Sequence, residues 1–428
     1  MPVLILGGGL VVFLALGLPV GFALLATSVA MITYSGSVTF VVIAHRLQNS
    51  LDSFPLLAIP LFILAADLMN RSGVTTRIFR FAGALVGHIT GGLAHVNILA
   101  SILFSGMSGS AVADASSLGM IEIKAMVDEG YKRPFAGAVT AASSTIGPII
   151  PPSVPMVIFG VISGTSIGAL FMGGIVPGLI MGLALMVLVY VIARRSGDMP
   201  RRSRVTALEL ARAFLAAAPA LLLPIIILGG IWGGIFSPTE AAGVAVVYSL
   251  ALGMFAYKEI PLRHLPRVFV ESARTTASIM FIVAAAGLYG WLVSIEGIPR
   301  MIQGGLLAIT AEPLIILLIV NVILLILGMF MELIAILIIS VPVFLPVLTG
   351  VGFDPVYLGV VMVLNLMIGF LTPPFGLNVF IMQKLARCGF RELIGELWPF
   401  MAVLVGTLLL VIFIPELVTA LPEYIYGF

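Results

Sequence analysis

Ser143-Ser-Thr-Ile-Gly-Pro-Ile-Ile-Pro-Pro-Ser153 lies within an apolar segment long enough to cross a membrane, yet it cannot be a continuous helix. Pro148, Pro151 and Pro152 remove three backbone donors, and a polar run, Ser143–Thr145, sits directly upstream. Non-helical backbone at membrane depth is tolerated only where it is buried in protein or lines a wet cavity. A second break, Met367-Ile-Gly-Phe-Leu-Thr-Pro-Pro-Phe-Gly-Leu-Asn378, places Gly369 222 residues beyond Gly147. One broken helix is compatible with a packing kink; a matched pair points to a transport site.

Composition agrees. Of 428 residues 61% are hydrophobic and 9% charged, against about 25% charged in soluble proteins. With a mean hydropathy of +1.23, the chain reads as an all-α polytopic membrane protein. No basic run interleaved with aromatics suggests nucleic acid, and the single Cys388 excludes an internal disulfide and a cysteine-based zinc site. HExxH, GxGD and paired intramembrane aspartates are absent, which argues against an intramembrane enzyme.

Met1–Tyr34 lacks a basic n-region and a cleavage pattern, so Val3–Tyr34 is expected as a retained, tilted span bent at Gly17-Leu-Pro19. Thr39–Leu51 reads as an interfacial arm and Ser53–Met69 as a span. Ile98–Val127 is apolar to Phe104, small and polar across Ser105–Ser110, then helical again. Each of its arms is short for a span, so a re-entrant hairpin over 90–129 is expected, followed by the broken helix 131–166. Spans are expected at Ile167–Ala193, Ala216–Gly234 and Thr239–Tyr257, with a hydrophilic loop at 194–206. A second arm, Lys258–Arg274, precedes a span at Thr276–Val293. A second hairpin over 311–348, with its tip at Gly328–Glu332, then leads to the broken helix 354–387 and a last span, Phe400–Leu421.

A constant shift of 222 residues lays Gly106-Met107 on Gly328-Met329, Gly130 on Gly352, Gly137 on Gly359, Ile146-Gly147 on Ile368-Gly369, and Pro151-Pro152 on Pro373-Pro374. These coincidences imply an internal repeat. With the hairpins non-crossing and each broken helix crossing once, an odd number of crossings separates the repeats, so they are inverted. Placing Arg194–Arg204 in the cytoplasm puts all of the 21 Lys and Arg there except Arg46 and Arg300. The N-terminus is then expected in the cytoplasm and the C-terminus in the periplasm.

At a re-entrant tip, orphan carbonyls ending one helix favour a cation and orphan N–H groups opening the next favour an anion. Two oxygen clamshells follow. The first sets Ser105, Gly106, Ser108 and Ser110 against Ser143, Ser144, Thr145, Gly147 and Pro148; the second sets Gly328, Met331 and Glu332 against Asn365, Gly369, Thr372 and Pro373. Such weakly charged oxygen sets suit sodium (Na+) rather than a transition metal. The same small residues also serve close helix packing. Asp114 is either functional or complements the N-terminal end of its own helix, while Glu332 is a candidate cation ligand or gate. His45, His88, His95 and His264 are expected as interfacial anchors, and Lys124, Lys132 and Arg133 as the mouth of the first hairpin.

Phe104-Ser-Gly-Met-Ser-Gly-Ser-Ala-Val-Ala-Asp114, Gly147-Pro-Ile-Ile-Pro-Pro-Ser153, Phe236-Ser-Pro-Thr-Glu-Ala-Ala242 and Thr372-Pro-Pro-Phe-Gly376 resemble the large membrane subunit of tripartite ATP-independent periplasmic (TRAP) transporters. The resemblance runs nearly end to end. It implies a sodium-driven importer of organic acids such as C4-dicarboxylates or sialic acid in the bacterial inner membrane. It also implies a small four-helix membrane partner, expected as a separate chain, and a periplasmic substrate-binding protein.

The implied fold is similar to that of divalent-anion/sodium symporters, in which a transport domain carrying two hairpins moves as an elevator against a scaffold. On that division, 1–51 and 167–274 are scaffold, 52–166 and 275–390 are transport domain, and 391–428 is a C-terminal helix. Trp232 and Phe236 fall in the scaffold. Candidate substrate contacts are Ser108, Ser110, Asp114, Ser153 and Asn378. Where those symporters carry Ser-Asn-Thr at the tips, this chain has Ser108-Gly-Ser110 and Phe330-Met-Glu332. A stand-alone anion/sodium symporter is the alternative reading, and a passive channel would carry sodium-independent flux.

Overall fold

The computed structural model describes residues 2–36, 39–109, 111–197 and 199–427, and their side chains except at 40, 108, 112, 113 and 116. Every regular element among them is helical. In chain order these are α1 (Gly9–Ala15, entered through a wider π coil at Leu4–Gly8), α2 (Val20–Ser35), α3 (Phe40–Asn49), α4 (Ala58–Arg71) and α5 (Val74–Val86). The first hairpin is α6 (Gly92–Ser108) and α7 (Ala111–Asp128), and the first broken helix is α8 (Arg133–Ser143) and α9 (Val154–Ser163). There follow α10 (Ile167–Ser196), α11 (Ala207–Trp232), α12 (Pro238–Ala251), α13 (Leu265–Ile295) and α14 (Ile298–Ile309). The second hairpin is α15 (Pro313–Phe330) and α16 (Leu333–Gly350), and the second broken helix is α17 (Pro355–Gly369) and α18 (Leu377–Ala386). The chain closes with α19 (Phe390–Phe413) and α20 (Glu416–Tyr426).

Local chemistry sets these boundaries. Thr206 with Glu209, and Ser237 with Glu240, form capping boxes that open α11 and α12. Ser153, Ser166 and Asp354 accept backbone N–H bonds from Met156, Ala169 and Tyr357 at the starts of α9, α10 and α17. Among the described residues eight helices, counting short lead-in turns, are long and apolar enough to cross a membrane. Side chains such as Leu183, Val187, Ile225 and Val247 present the apolar outer surface that lipid requires.

The shift of 222 residues holds element by element. It lays α4 on the second part of α13, α5 on α14, α6 on α15, α7 on α16, α8 on α17, α9 on α18 and α10 on α19, with the bounds of α7 and α16 in register. Both breaks contain a cis Pro–Pro bond, at Pro151-Pro152 and at Pro373-Pro374.

Three expectations are corrected. Val3–Tyr34 is not one span: the chain folds back at residues 16–19, and a β-carbon on Gly9 would stand 3.4 Å from Thr27 Cγ2. Gly17, at φ +83°, takes a left-handed conformation that tightens the expected bend into a turn. Both ends of 4–35 therefore lie at the same end of the molecule, which removes the crossing on which a cytoplasmic N-terminus rested.

The second correction concerns the interfacial arm in 258–274. Residues 265–274 run without interruption into the following span as α13, whereas the first arm, α3, is separate from α4. Pro55, preceded by an extended Ser53, interrupts the first; its counterpart is Ala277, which leaves the second helix unbroken. Third, the last span is α19, and Pro415 separates it from the short α20.

The ends of the helices gather into two groups. At one end Tyr131 donates to Pro200 O (3.0 Å), Arg133 to Ala386 O (3.3 Å) and the Arg202 N–H to Gly87 O (3.0 Å). Arg202 pairs with Glu129, and Arg71 with Glu271, at the same end. At the other end Thr239 donates to Phe54 O (3.3 Å), and Tyr426 packs over Gly168. The first broken helix and α10 thus each run from one group to the other.

Candidate functional site

The first hairpin turns at Gly109, whose φ of +58° is reserved for glycine in practice. This is the C-terminal edge of the expected tip; Ser105 and Gly106 lie inside the last turns of α6. The turn rests on the first break: a β-carbon on Gly109 would meet Pro152 O at 2.6 Å, and one on Gly106 would lie 3.6 Å from Pro151 O. Asp114 closes the other side, because a β-carbon on Gly147 would stand 2.4 Å from its Oδ2. Thus Gly106, Asp114, Gly147 and the prolines come together. Ser110, and the side chain of Ser108, lie outside the described residues.

Hydroxyls at the hairpin and in the break mostly bond locally. Ser105 donates to Ile102 O (2.7 Å) and Thr145 to Ala142 O (2.6 Å). Pro148 O, deprived of a helical donor by Pro152, accepts instead from the Ser153 hydroxyl at 2.5 Å. Gly147 O has likewise lost its helical donor, since residue 151 is proline. Backbone carbonyls are therefore the acceptors that the break makes available for a cation.

The second hairpin turns at Met331–Glu332, where the Glu332 carboxylate caps α16 by accepting from Ala335 N (3.3 Å). Gly328 sits in α15 directly against Gly369, with a hypothetical β-carbon 3.0 Å from the Gly369 Cα. Phe330 and Phe375 bring the turn onto the second break, with ring centroids 5.2 Å apart. Thr372 donates to Ile368 O (2.7 Å), and Asn365 donates to Asn321 O (2.9 Å) and Oδ1 (2.7 Å). Pro373 lies half-buried in the break.

The two breaks also touch each other. Asn378, opening α18, donates to Ser144 Oγ (2.8 Å) and to Ala141 O (3.1 Å). Gly109 and Pro148 from the first half, and Glu332 and Met367 from the second, line one cavity of about 540 Å³. Its opposite wall is α4 and α13, which contribute Asp67, Asn70, Thr275 and Ser278. Ser272 donates a hydrogen bond to Asp67.

Several residues here were not singled out from sequence. Asn97 on α6 donates to Thr140 Oγ1 (2.7 Å) and accepts from Ser143 (2.7 Å). Asn321 on α15 makes the corresponding tie to Asn365, which is the repeat partner of Ser143. A lone Asn inside an apolar run was the available signal in both places. Glu122, two turns beyond Asp114 on α7, is fully buried, with neither carboxylate oxygen hydrogen-bonded among the described residues. His95, expected at an interface, is instead 3% exposed, because the start of α6 is covered on all sides.

Residues 8–417 match the family described as "Tripartite ATP-independent periplasmic transporter, DctM component". The chain is 46% identical over 415 residues to the sialic acid TRAP transporter large permease protein SiaM of Vibrio cholerae, covering 96% of each. It is 40% identical to the C4-dicarboxylate TRAP transporter large permease protein DctM of Pseudomonas aeruginosa, covering 90% of each. The crystal structure of the Alcanivorax borkumensis YdaH transporter matches with a TM-score of 0.61 at 15% identity, over 90% of this chain and 89% of that one. That likeness concerns the fold alone.

Proposed function

Since the chain belongs to the DctM family of tripartite ATP-independent periplasmic transporters, we propose that it imports a small organic acid, of the sialic acid or C4-dicarboxylate class, coupled to sodium. A cavity met by both hairpin turns and both broken helices carries this reading. Its volume of about 540 Å³ suits one such acid.

Sodium would bind where Gly106 and Gly109 meet the first break at Pro151 and Pro152, beside Gly147 and Pro148, and where Gly328 and Met331 meet the second at Gly369, Thr372 and Pro373. In both places helical geometry leaves carbonyl oxygens in excess of donors. Each ion would draw a hairpin turn onto its break, completing the cavity wall before the acid binds. Asp67 and Glu332 make that wall acidic, so bound cations would also offset repulsion of a carboxylate. The hairpins and broken helices would then move together as an elevator; because α4 and α13 form the facing wall of the cavity, they would belong to the static part, which departs from the division by sequence that put 52–166 and 275–390 in the transport domain. A small membrane subunit would extend the static part, and a periplasmic binding protein would deliver the acid.

Reconstitution into liposomes with both partners tests this reading. Uptake of N-acetylneuraminate or succinate is expected to need an inward sodium gradient and the binding protein. Uptake that persists when the gradient is collapsed removes the coupling; uptake without the binding protein favours a stand-alone symporter.

A further inference from the structure

A second cavity, of about 610 Å³, opens at the end of the molecule where most of the basic residues gather. Arg71 at the end of α4, Arg77 and Arg80 on α5, and Arg212 on α11 line it, with Glu259 as the only acid among the described lining residues. The charges are poorly balanced. Arg71 pairs with Glu271, but Glu271 is shared with Arg267 at 2.7 Å. Arg77 stacks 3.9 Å over the Tyr257 ring, donates to Gly73 O at 2.9 Å, and reaches Glu259 only at 3.4 Å. No salt bridge among the described residues engages Arg80 or Arg212.

Four guanidinium groups converging on one concavity raise a local positive potential that only an anion relieves. Their planar forks match the paired oxygens of phosphate or carboxylate, and stacking on Tyr257 holds one fork in place. The position adds to this. Arg212 lies less than two turns from the start of α11, and Arg71 ends α4, which is where helices leave the hydrocarbon for the headgroup layer. Asn70 lines both this cavity and the one between the hairpins, so the two are adjacent.

We infer that this cavity is an oxyanion site, separate from the hairpin cavity. Its ligand carries a phosphate or carboxylate and comes either from the headgroup of an anionic phospholipid or from a free small acid. Arg80 and Arg212 supply charge that no salt bridge among the described residues engages, Arg212 being offset only by Glu209 on its own helix, and Arg77 is pre-positioned by its ring and carbonyl contacts.

Binding to the purified, delipidated full-length protein in detergent tests the site without reference to transport, so its failure and that of the import reading are distinguishable. Phosphatidylglycerol is compared with phosphatidylethanolamine by native mass spectrometry, and succinate and inorganic phosphate by the shift in melting temperature. Selective retention of phosphatidylglycerol identifies a headgroup site; a shift with succinate or phosphate identifies a soluble-anion site. Either response is expected to weaken about tenfold or more in Arg80→Gln/Arg212→Gln. It is expected to survive in Arg263→Gln/Arg274→Gln, which removes the same charge outside the cavity. Should the first pair aggregate, the single Arg212→Gln is read in the same way. Equal loss in both pairs, or no anion response in the unaltered protein, overturns the site.

Discussion

A β-carbon built on Gly369 would stand 2.8 Å from the Cα of Gly328 and 3.0 Å from the carbonyl oxygen of Leu325. Both neighbours are backbone, which cannot swing aside as a side chain can. Gly369→Ala is therefore expected to cost about 1–3 kcal/mol, the usual range for forcing a methyl group into a packed contact. Gly406, also within a helix, has open space where its β-carbon would go. Gly406→Ala should gain about 0.5–1 kcal/mol from reduced chain entropy. Thermal unfolding of the purified variants in detergent separates the two. A similar shift in both would show that Gly369 is ordinary helix packing and not a close approach between hairpin and break.

Among elements, the hairpin turn decides whether the first break is covered. Gly109 combines a positive φ with contact to Pro152 O, whereas Gly164 has a φ of +72° and open surroundings. Alanine at either position meets the same left-handed strain, of about 1–2 kcal/mol. Only Gly109→Ala should also lift the turn off the break, so its sodium-driven uptake should fall about tenfold or more while membrane insertion persists. Gly164→Ala should retain uptake, and equal transport by the two variants would detach the turn from the site.

The turns and breaks were legible in the sequence because proline and glycine act locally. The loss of three donors at Pro148, Pro151 and Pro152 leaves no helical alternative, and a shared offset shows that it happens twice. What stayed hidden depended on distance or angle. Gly17-Leu-Pro19 announces a bend but not that it is tight enough to lay α1 along α2. Asn97 and Asn321 stand in apolar runs, Asp67 and Glu122 near the charged ends of their helices, and only packing reveals which neighbour each one meets. Helix continuity across Thr275–Ala277 turned on the absence of a proline that the first repeat has.

For the molecule as a whole, the outstanding quantity is its direction in the membrane. The helix ends sort into two sets, with 87, 129–133, 200–202 and 386 at one end and 54, 168, 239 and 426 at the other. Arg46 stacks on Trp291 near the second set, while most other basic side chains cluster at the first. By the positive-inside rule the first end is expected to face the cytoplasm. The folded-back α1 and α2 then return the N-terminus to the outer side. This prediction can be read by labelling. In a Cys388→Ser background, Tyr424→Cys replaces a side chain that is 81% exposed. It should react with a membrane-impermeant maleimide on cells whose outer membrane alone is permeabilised. Arg201→Cys, in the loop between α10 and α11, should react only after the inner membrane is opened as well. An N-terminal epitope should behave like Tyr424→Cys. Its protection in intact inner membranes would mean that α1 and α2 cross once after all, and labelling of Arg201→Cys from outside would invert the whole assignment.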